Sequence, residues 1–448
     1  MVCVSRQEAH MEAGAAMALS QLLVFLTARL CCASPPAAGP VLQERPFVVV
    51  WNMPTANCQR RHAVRLDLEP YGILENKRQH FQGQKMTIFY RDRLGAYPYL
   101  SRDGRTVNGG LPQRADLAAH LALAESQISV PLRPNFSGLA VIDWEEWQPL
   151  WAGNFGSKMK YRRLSKRLVR RERPDLTETA VKSLAKRAFE EGARRFLEET
   201  LRLAVRRRPK GFWGFYGFPF CFNKNKRKTD KIYTGRCHKG TRQQNDQLSW
   251  LWDQSTALYP SIYLPPGLAG SEDAALMVRH RLLEALRVAS LYRHGNSTAH
   301  ATPVLPYARL AFTHTLNFLN KTDLEHTLGE AASLGAAGVV LWGELKFAKS
   351  RKQCLLLRDY VRSVLGPFVQ SLRSDAQRCS RQLCHGNGRC TRRRPGSGRR
   401  LALTSDPREI TQPAGSGYFR KHFACLCYPG WGGQRCQGKT DGSRQRDD

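Results

Sequence analysis

The stretch Gly138-Leu-Ala-Val-Ile-Asp-Trp-Glu145 is a short apolar run that closes on two carboxyls two positions apart, and it reads as a β-strand. Runs of the same kind lie at Pro46-Phe-Val-Val-Val-Trp51, Lys85-Met-Thr-Ile-Phe-Tyr90, Gly211-Phe-Trp-Gly-Phe-Tyr216, Ser261-Ile-Tyr-Leu264, Val304-Leu-Pro-Tyr307 and Gly338-Val-Val-Leu-Trp342. Longer amphipathic stretches separate them, for example residues 179–206 and 274–291. Alternation of strand and helix from residue 46 to about residue 367 predicts a parallel sheet. With this many strands, a closed barrel is favoured over an open doubly wound sheet. The expected fold is α/β, a distorted (β/α) TIM-like barrel of about seven to eight strands.

Nearly every strand candidate ends on an aromatic or acidic residue: Trp51, Tyr90, Glu145, Tyr216, Tyr263, Tyr307 and Trp342. Residues at the C-terminal ends of barrel strands converge on one mouth, where aromatic faces suit the apolar faces of sugar rings. The plainer reading of any one of them is that aromatics are common in strands.

The 42% hydrophobic content suits a buried core, while 70 Lys and Arg against 37 Asp and Glu leave a formal charge of +33. Such a chain is drawn to polyanions, and charge alone does not choose among nucleic acid, anionic membrane and acidic polysaccharide. The compartment narrows the choice. Of thirteen cysteines, Cys3, Cys31 and Cys32 lie in the first 34 residues, and an even ten remain, as an oxidised protein would leave once a leader is removed. Residues 1–34 read as a signal peptide with an apolar run from Leu19 to Cys32, although Arg29 interrupts it and an internal start at Met17 is an alternative. Sequons at Asn135, Asn296 and Asn320 are glycosylation candidates and agree with a secreted or lysosomal protein. No other stretch is apolar over the length of a membrane span, and no lipid-anchor signal is present, so no membrane anchor is expected.

Two basic stretches stand out. Residues 161–173 suggest either anion binding or a solvated helix face, and residues 224–231, between Cys221 and Cys237, form a basic loop. Beyond Ser374 the composition changes to Cys379-x4-Cys384-x5-Cys390 and Cys425-x-Cys427-x8-Cys436, with Gly430 and Trp431 in the last loop. This resembles an epidermal-growth-factor-like (EGF-like) module. The resemblance implies the pairs 379–390, 384–425 and 427–436, leaving 221–237 as a local bridge and 58–354 as a long one. The expected organisation is a catalytic barrel over 35–375, the module over 376–437 and a polar tail over 438–448. The gap from Cys390 to Cys425 is far longer than such modules usually carry, and its run from Arg392 to Arg400 is expected to be a mobile basic insertion.

Glycosidic cleavage needs a proton for the leaving oxygen and stabilisation of an oxocarbenium-like centre, so two neighbouring carboxyls at a strand end are the feature to seek. Asp143 and Glu145 qualify, because residues i and i+2 of a strand share a face while Trp144 points the other way. Crowding two carboxyls in a partly desolvated site raises one pKa and keeps a proton on the pair. By itself Asp-x-Glu is a weak pattern. Its surroundings are not: Phe136-Ser-Gly-Leu-Ala-Val-Ile-Asp-Trp-Glu-Glu-Trp-Gln-Pro-Leu-Trp151, Trp213-Gly-Phe-Tyr-Gly-Phe-Pro219, Asn245-Asp-Gln-Leu-Ser-Trp-Leu-Trp252, Ala257-Leu-Tyr-Pro-Ser-Ile-Tyr263 and Leu334-Gly-Ala-Ala-Gly-Val-Val-Leu-Trp342 together closely resemble the vertebrate hyaluronidases of glycoside hydrolase family 56.

That resemblance implies endo-hydrolysis of hyaluronan by a substrate-assisted retaining mechanism, in which the substrate's own acetamido oxygen is the nucleophile. Glu145 matches the acid/base, Asp143 the residue that orients the acetamido group, and Tyr216 its hydrogen-bond partner. Tyr90, Tyr263 and Trp342 match residues that line the cleft and hold the sugar, and Asn52 joins them as a substrate-binding candidate. Family members usually carry Arg where this chain has Gln148, and Asp where it has Phe220. The implied partners are hyaluronan and, more weakly, chondroitin, with a monomeric state and no nucleic acid. Alternatives are a hydrolase that prefers chondroitin sulfate, against which Tyr263 weighs, and a catalytically weak hyaluronan-binding protein. No His-Glu-x-x-His, Gly-x-Ser-x-Gly, phosphate loop or dinucleotide fingerprint is present, so neither a metal nor an organic cofactor is expected.

Overall fold

The computed structural model describes residues 42–43, 45–223, 232–291, 301–401 and 416–440, with only the backbone for Ser416. The expected leader, the basic loop at 224–231, Asn296, residues 402–415 of the insertion and the tail beyond 440 lie outside the described residues.

Among the described residues, six parallel strands carry the barrel. Val48–Asn52 pairs with Gly338–Trp342, which also takes Tyr307–Arg309 on its other edge, while Met86–Tyr90, Leu139–Asp143 and Phe212–Phe215 form a second group. Two seams join the groups. At one, residues 257–263 lie between Phe212–Phe215 and Tyr307–Arg309 through the parallel bridges Tyr216 to Tyr259, Leu258 to Val304 and Ser261 to Tyr307. The strands expected at 261–264 and 304–307 are therefore single bridges rather than ladders, and the regular strand starts at Tyr307 instead of ending there. Pro260, Pro303 and Pro306 explain this, since each lacks the N–H that a central ladder requires. At the other seam, Leu74 exchanges hydrogen bonds with Val49 and Trp51 of the first strand. The Asn76 side chain then completes the gap: its Oδ1 accepts from the N–H groups of Lys85 (3.0 Å) and Met86 (3.2 Å), and its Nδ2 donates to the Met86 carbonyl (2.8 Å). The result is a distorted TIM-like barrel.

Alternation along the strands divides the apolar residues into two sets. Val48, Val50, Met86, Ile88, Leu139, Val141, Tyr259, Tyr307 and Val340 fill the barrel, whereas Val49, Phe89, Ile142, Val339 and Leu341 pack outward on the helices. Trp51 belongs to the outward set, so it does not reach the mouth: it is buried and its indole N–H donates to Thr55 Oγ1 at 2.9 Å. Tyr307 lies below the mouth, fully buried with its ring edge-on to Tyr216 and Tyr259. Gly214 is required where the backbone passes Tyr259, because a Cβ there would stand 2.2 Å from the Ala257 carbonyl oxygen.

The helix Glu178–Arg207 is capped by Thr177, whose side chain accepts from Ala180 N–H, and it buries Val181, Ala185, Phe189, Ala193 and Phe196 along one stripe. The basic stretch forms Met159–Glu172, with Tyr161, Ser165 and Val169 buried at every fourth position, so its arginines and lysines lie away from that stripe. Among the described residues, five disulfides join Cys58 to Cys354, Cys221 to Cys237, Cys379 to Cys390, Cys384 to Cys425 and Cys427 to Cys436.

A boundary between 375 and 376 would cut the continuous helix Gly366–Cys384, whose last two turns carry Cys379 and Cys384. The strands Gly388–Arg392 and Phe423–Cys427 pair antiparallel and pack on this helix. The arginines flanking the insertion are anchors rather than parts of a mobile run. Arg392 is buried and donates to both oxygens of Glu330 (2.9 and 2.8 Å), which also accepts from Arg279 at 2.7 Å, while Arg400 donates to Glu325 at 2.7 Å. Charges removed from water need such partners.

His120, at the centre of the helix layer, is fully buried. Its Nδ1 accepts from Ala96 N–H at 2.9 Å, which leaves the proton on Nε2 facing Thr200 Oγ1 at 2.9 Å. Burial lowers its pKa from 6.5 to about 4. The folded state therefore binds its proton later than the unfolded chain. Stability that is fully present above the unfolded value of 6.5 should fall as pH drops towards the folded value of about 4. The expected loss is on the order of 3 kcal/mol over that interval. Denaturant titrations of wild type and His120→Gln across this range check it: the variant should lose that part of the slope, and parallel curves would contradict it.

Candidate active site

The inward residue at the end of each strand forms a ring at the barrel mouth: Asn52, Tyr90, Asp143, Tyr216, Arg309 and Trp342. Strand register brings them together, setting Tyr90 opposite Asp143 and placing Asn52 and Arg309 on either side of Trp342. The strand ends at Asp143, yet the alternation persists for two more residues. Trp144 turns outward into an aromatic cluster, buried against Tyr97 (4.8 Å between ring centroids), Phe215 (5.5 Å), Phe196 (5.6 Å) and His120 (5.7 Å). Glu145 then returns to the mouth, where it is exposed, and Lys158 Nζ donates to its backbone carbonyl.

Burial raises the Asp143 carboxyl to a pKa of about 8, and Glu145 adds to the shift through its charge and a hydrogen bond between the two side chains. The negative charge of one member opposes ionisation of the other, so the two carboxyls titrate as a pair that holds one proton into the neutral range. The Asp143 Oδ1 atom is buried without a hydrogen-bond partner. Tyr216 follows Phe212–Phe215, its N–H donating to Ile142 O at 2.9 Å. Burial and then the Glu145 charge push its phenol up to about 12, so it stays a neutral donor.

Tyr263 stacks on Trp342 with 6.0 Å between centroids and 19° between planes. Trp342 Nε1 donates to Tyr90 Oη at 3.0 Å, and Phe81 stacks on Tyr90 at 5.9 Å and 12°. These rings form a continuous aromatic row along one side of the mouth. Asn52 Nδ2 donates to Phe81 O at 3.2 Å, and its Oδ1 is buried without a partner. All of the catalytic and sugar-binding candidates thus gather at one end of the barrel.

A cleft of about 800 Å³ opens beside Glu145, lined also by Gln148, Tyr216, Phe220 and Arg281. The two positions where the chain departs from its resemblance both face this cleft. Gln148 is set by a turn in which the Asn154 side chain accepts from its N–H (2.9 Å) and donates to its carbonyl (2.8 Å). Phe220 packs between Phe218 (5.8 Å) and Phe222 (5.1 Å), giving that wall an apolar face.

Sequence reasoning missed Arg281, Lys158 and Arg309. Arg281, on the helix Glu272–Leu291, is buried and reaches the cleft; it donates to Asn223 Oδ1 at 2.7 Å and to the Ser261 carbonyl, and burial lowers its pKa to about 10. Arg309 lies 5.6 Å from the Tyr263 ring centroid and 5.4 Å from that of Trp342, and donates to Glu344 at 2.8 Å. The available signal was a cation at an inward strand position and another on an apolar helix face. Lys158, in a short turn before a basic helix, offered none. Of the sequon asparagines, Asn135 and Asn320 are exposed, the latter also accepting from Asp323 N–H through its Oδ1 at 2.9 Å.

The family model described as hyaluronidase matches residues 36–440. Hyaluronidase-3 of Homo sapiens is 47% identical over 406 residues, covering 91% of this chain and 94% of that protein. Hyaluronidase-1 of Homo sapiens is 42% identical over 417 residues, covering 90% and 94%. The crystal structure of bee venom hyaluronidase in complex with a hyaluronic acid tetramer superposes with a TM-score of 0.66 at 35% identity, covering 72% of this chain and 98% of that one. Since the matched span takes in the barrel, its carboxyl pair and the C-terminal disulfides, the chain belongs to the hyaluronidases of glycoside hydrolase family 56.

Proposed function

We propose that this glycoside hydrolase cuts hyaluronan internally at the β-1,4 bonds between N-acetylglucosamine and glucuronate, by a substrate-assisted retaining mechanism. The observation that carries the reading is the Asp143–Glu145 pair, one half-buried carboxyl and one exposed, holding one proton between them at the mouth of a barrel lined by aromatic rings. The hyaluronic acid tetramer bound by the bee venom relative supports the substrate.

In this reading the acetamido oxygen of the bound N-acetylglucosamine attacks the anomeric carbon as the glycosidic bond breaks. Glu145, the exposed member, delivers its proton to the leaving oxygen. Asp143, ionised while Glu145 holds the shared proton, orients the acetamido N–H and stabilises the positive charge of the cyclic intermediate, and the donation leaves Glu145 as the carboxylate that serves as base in the second step. Tyr216 donates to the acetamido oxygen. Water opens the intermediate, with Glu145 taking back a proton, so the anomeric configuration is retained. Tyr90, Tyr263 and Trp342 hold the sugar, with Asn52 at the edge of the row. Chondroitin is the weaker substrate, and the protein acts as a monomer.

The leader-like segment and five disulfides support secretion or delivery to lysosomes, with glycans at Asn135 and Asn320. The three C-terminal disulfides support an EGF-like module built onto the barrel's last helix.

Glu145→Gln should abolish hydrolysis while leaving hyaluronan binding nearly intact, because the amide keeps the size but delivers no proton. Turnover within about tenfold of wild type would remove Glu145 from the role of acid, since a positioned general acid contributes roughly 10² to 10⁴ in rate. A guanidinium introduced by Gln148→Arg would face the same cleft, favour the ionised pair and offer a bidentate grip on a substrate carboxylate. It should raise kcat/KM and move the basic limb of the pH–rate profile to lower pH. An unchanged profile with unchanged efficiency would show that position 148 does not act on the pair.

A further inference from the structure

Glu145 lies where its strand has already ended. The ladder of Leu139–Asp143 stops two residues before it, and the turn bonds through Asn154 resume at Gln148. In that gap Lys158 Nζ donates to the Glu145 backbone carbonyl. The base of the lysine is fixed. It closes the 3₁₀ turn Gly156–Lys158, its N–H donates to the Phe155 carbonyl at 3.1 Å, and Gly156 supplies the turn's φ of 58°. The helix Met159–Glu172 starts from it and is held by its buried stripe: Tyr161 Oη accepts from Leu100 N–H at 3.1 Å, and Ser165 Oγ accepts from Gln113 Nε2 at 2.9 Å. A half-buried lysine stem leaving so firmly held a helix start carries its charge to a defined place.

The acids that sense the Glu145 charge come from several elements: Asp143 from its own strand, Tyr90 from Met86–Tyr90, Tyr97 from the segment after it and Tyr216 from the end of Phe212–Phe215. Burial first and neighbouring charge after it, that of Glu145 included, push all four up. Of the arginines nearby, Arg91 pairs with Glu146, and Arg281 is bound to Asn223 and the Ser261 carbonyl. Lys158 behaves in the opposite sense to the acids: burial lowers its ammonium and the Glu145 charge raises it, so the two side chains attract. That attraction bears on the first chemical step. When Glu145 gives up its proton, the carboxyl pair passes from one negative charge to two in a mouth that already desolvates Asp143. A cation bonded to the residue that becomes the new anion stabilises the state the step produces.

We propose that Lys158 is the positioning residue of the general acid: its ammonium fixes the Glu145 backbone beyond the end of the strand and offsets the negative charge that Glu145 acquires on donating its proton. The proposal rests on the reading of Glu145 as the acid. Lys158 acts through Glu145 and not on the sugar, so its removal should change the rate and its pH dependence more than the affinity.

The test compares wild type with Lys158→Met, which keeps the stem without the charge, and Lys158→Arg, which keeps the charge. On hyaluronan, Lys158→Met should lower kcat about tenfold and leave KM within about twofold. It should also move the basic limb of the pH–rate profile up by about half a unit to one unit, because a carboxyl that loses a neighbouring cation holds its proton longer. Lys158→Arg should keep kcat within about threefold and leave the limb in place. An infrared titration of the carboxyl stretch in the substrate-free protein reads the same shift without turnover: the midpoint of the pair should rise in Lys158→Met and stay put in Lys158→Arg. An unmoved midpoint in Lys158→Met would overturn the proposal, as would a loss of kcat in Lys158→Arg equal to that in Lys158→Met, or a rise in KM with kcat unchanged. Glu145→Gln is the separate arm: turnover retained there would overturn the acid assignment, while the infrared midpoint still decides whether Lys158 acts on the pair.

Discussion

The site depends on one constraint, the period-two alternation carried from Leu139 through Glu145. Because Trp144 is locked outward among Tyr97, His120, Phe196 and Phe215, its two neighbours must face the mouth. The proximity of the carboxyls follows from that anchoring, and burial of Asp143, reinforced by the Glu145 charge and the hydrogen bond between the two side chains, raises its pKa. The neutral His120 is part of the same arrangement, since a charged imidazole could not remain in so dry a cluster.

Barrel closure serves this geometry at a distance. Where prolines deprive the 257–263 seam of ladder hydrogen bonds, single parallel bridges hold it; where a strand is missing between Val48–Asn52 and Met86–Tyr90, the Asn76 side chain supplies the bonds. The strand ends therefore stay in register and assemble the ring from Asn52 round to Trp342. On the far side, Glu330 binds Arg279 and Arg392 at once, so the C-terminal disulfide region is joined to the barrel by a buried charge cluster whose members need one another.

Much of this was legible in the sequence because it depends on local periodicity. Asp143 and Glu145 sharing a face, the strand at Gly338–Trp342 and the long helix after Thr177 all follow from spacing that chain-neighbour rules describe. Trp51 and Tyr307 close their strand candidates and are expected at the mouth on that ground alone; register places Asn52 and Arg309 there instead. The direction of Gln148 is not legible in the sequence because it depends on Asn154, a turn contact. Arg281 and Arg392 escaped because a buried cation is recognisable only once its partners on remote elements are known, and the continuity of the helix Gly366–Cys384 across 375/376 is hidden because the change in composition beyond Ser374 says nothing of where a helix ends.

The most direct test of the central claim is to count protons on the pair. Infrared difference spectroscopy of the carboxyl stretch, comparing wild type with Asp143→Asn, should show one protonated carboxyl at neutral pH that disappears in the variant, because burial of Asp143, reinforced by the Glu145 charge, is what holds the proton on the pair. Finding both carboxyls ionised at neutral pH in the wild-type protein would contradict the account.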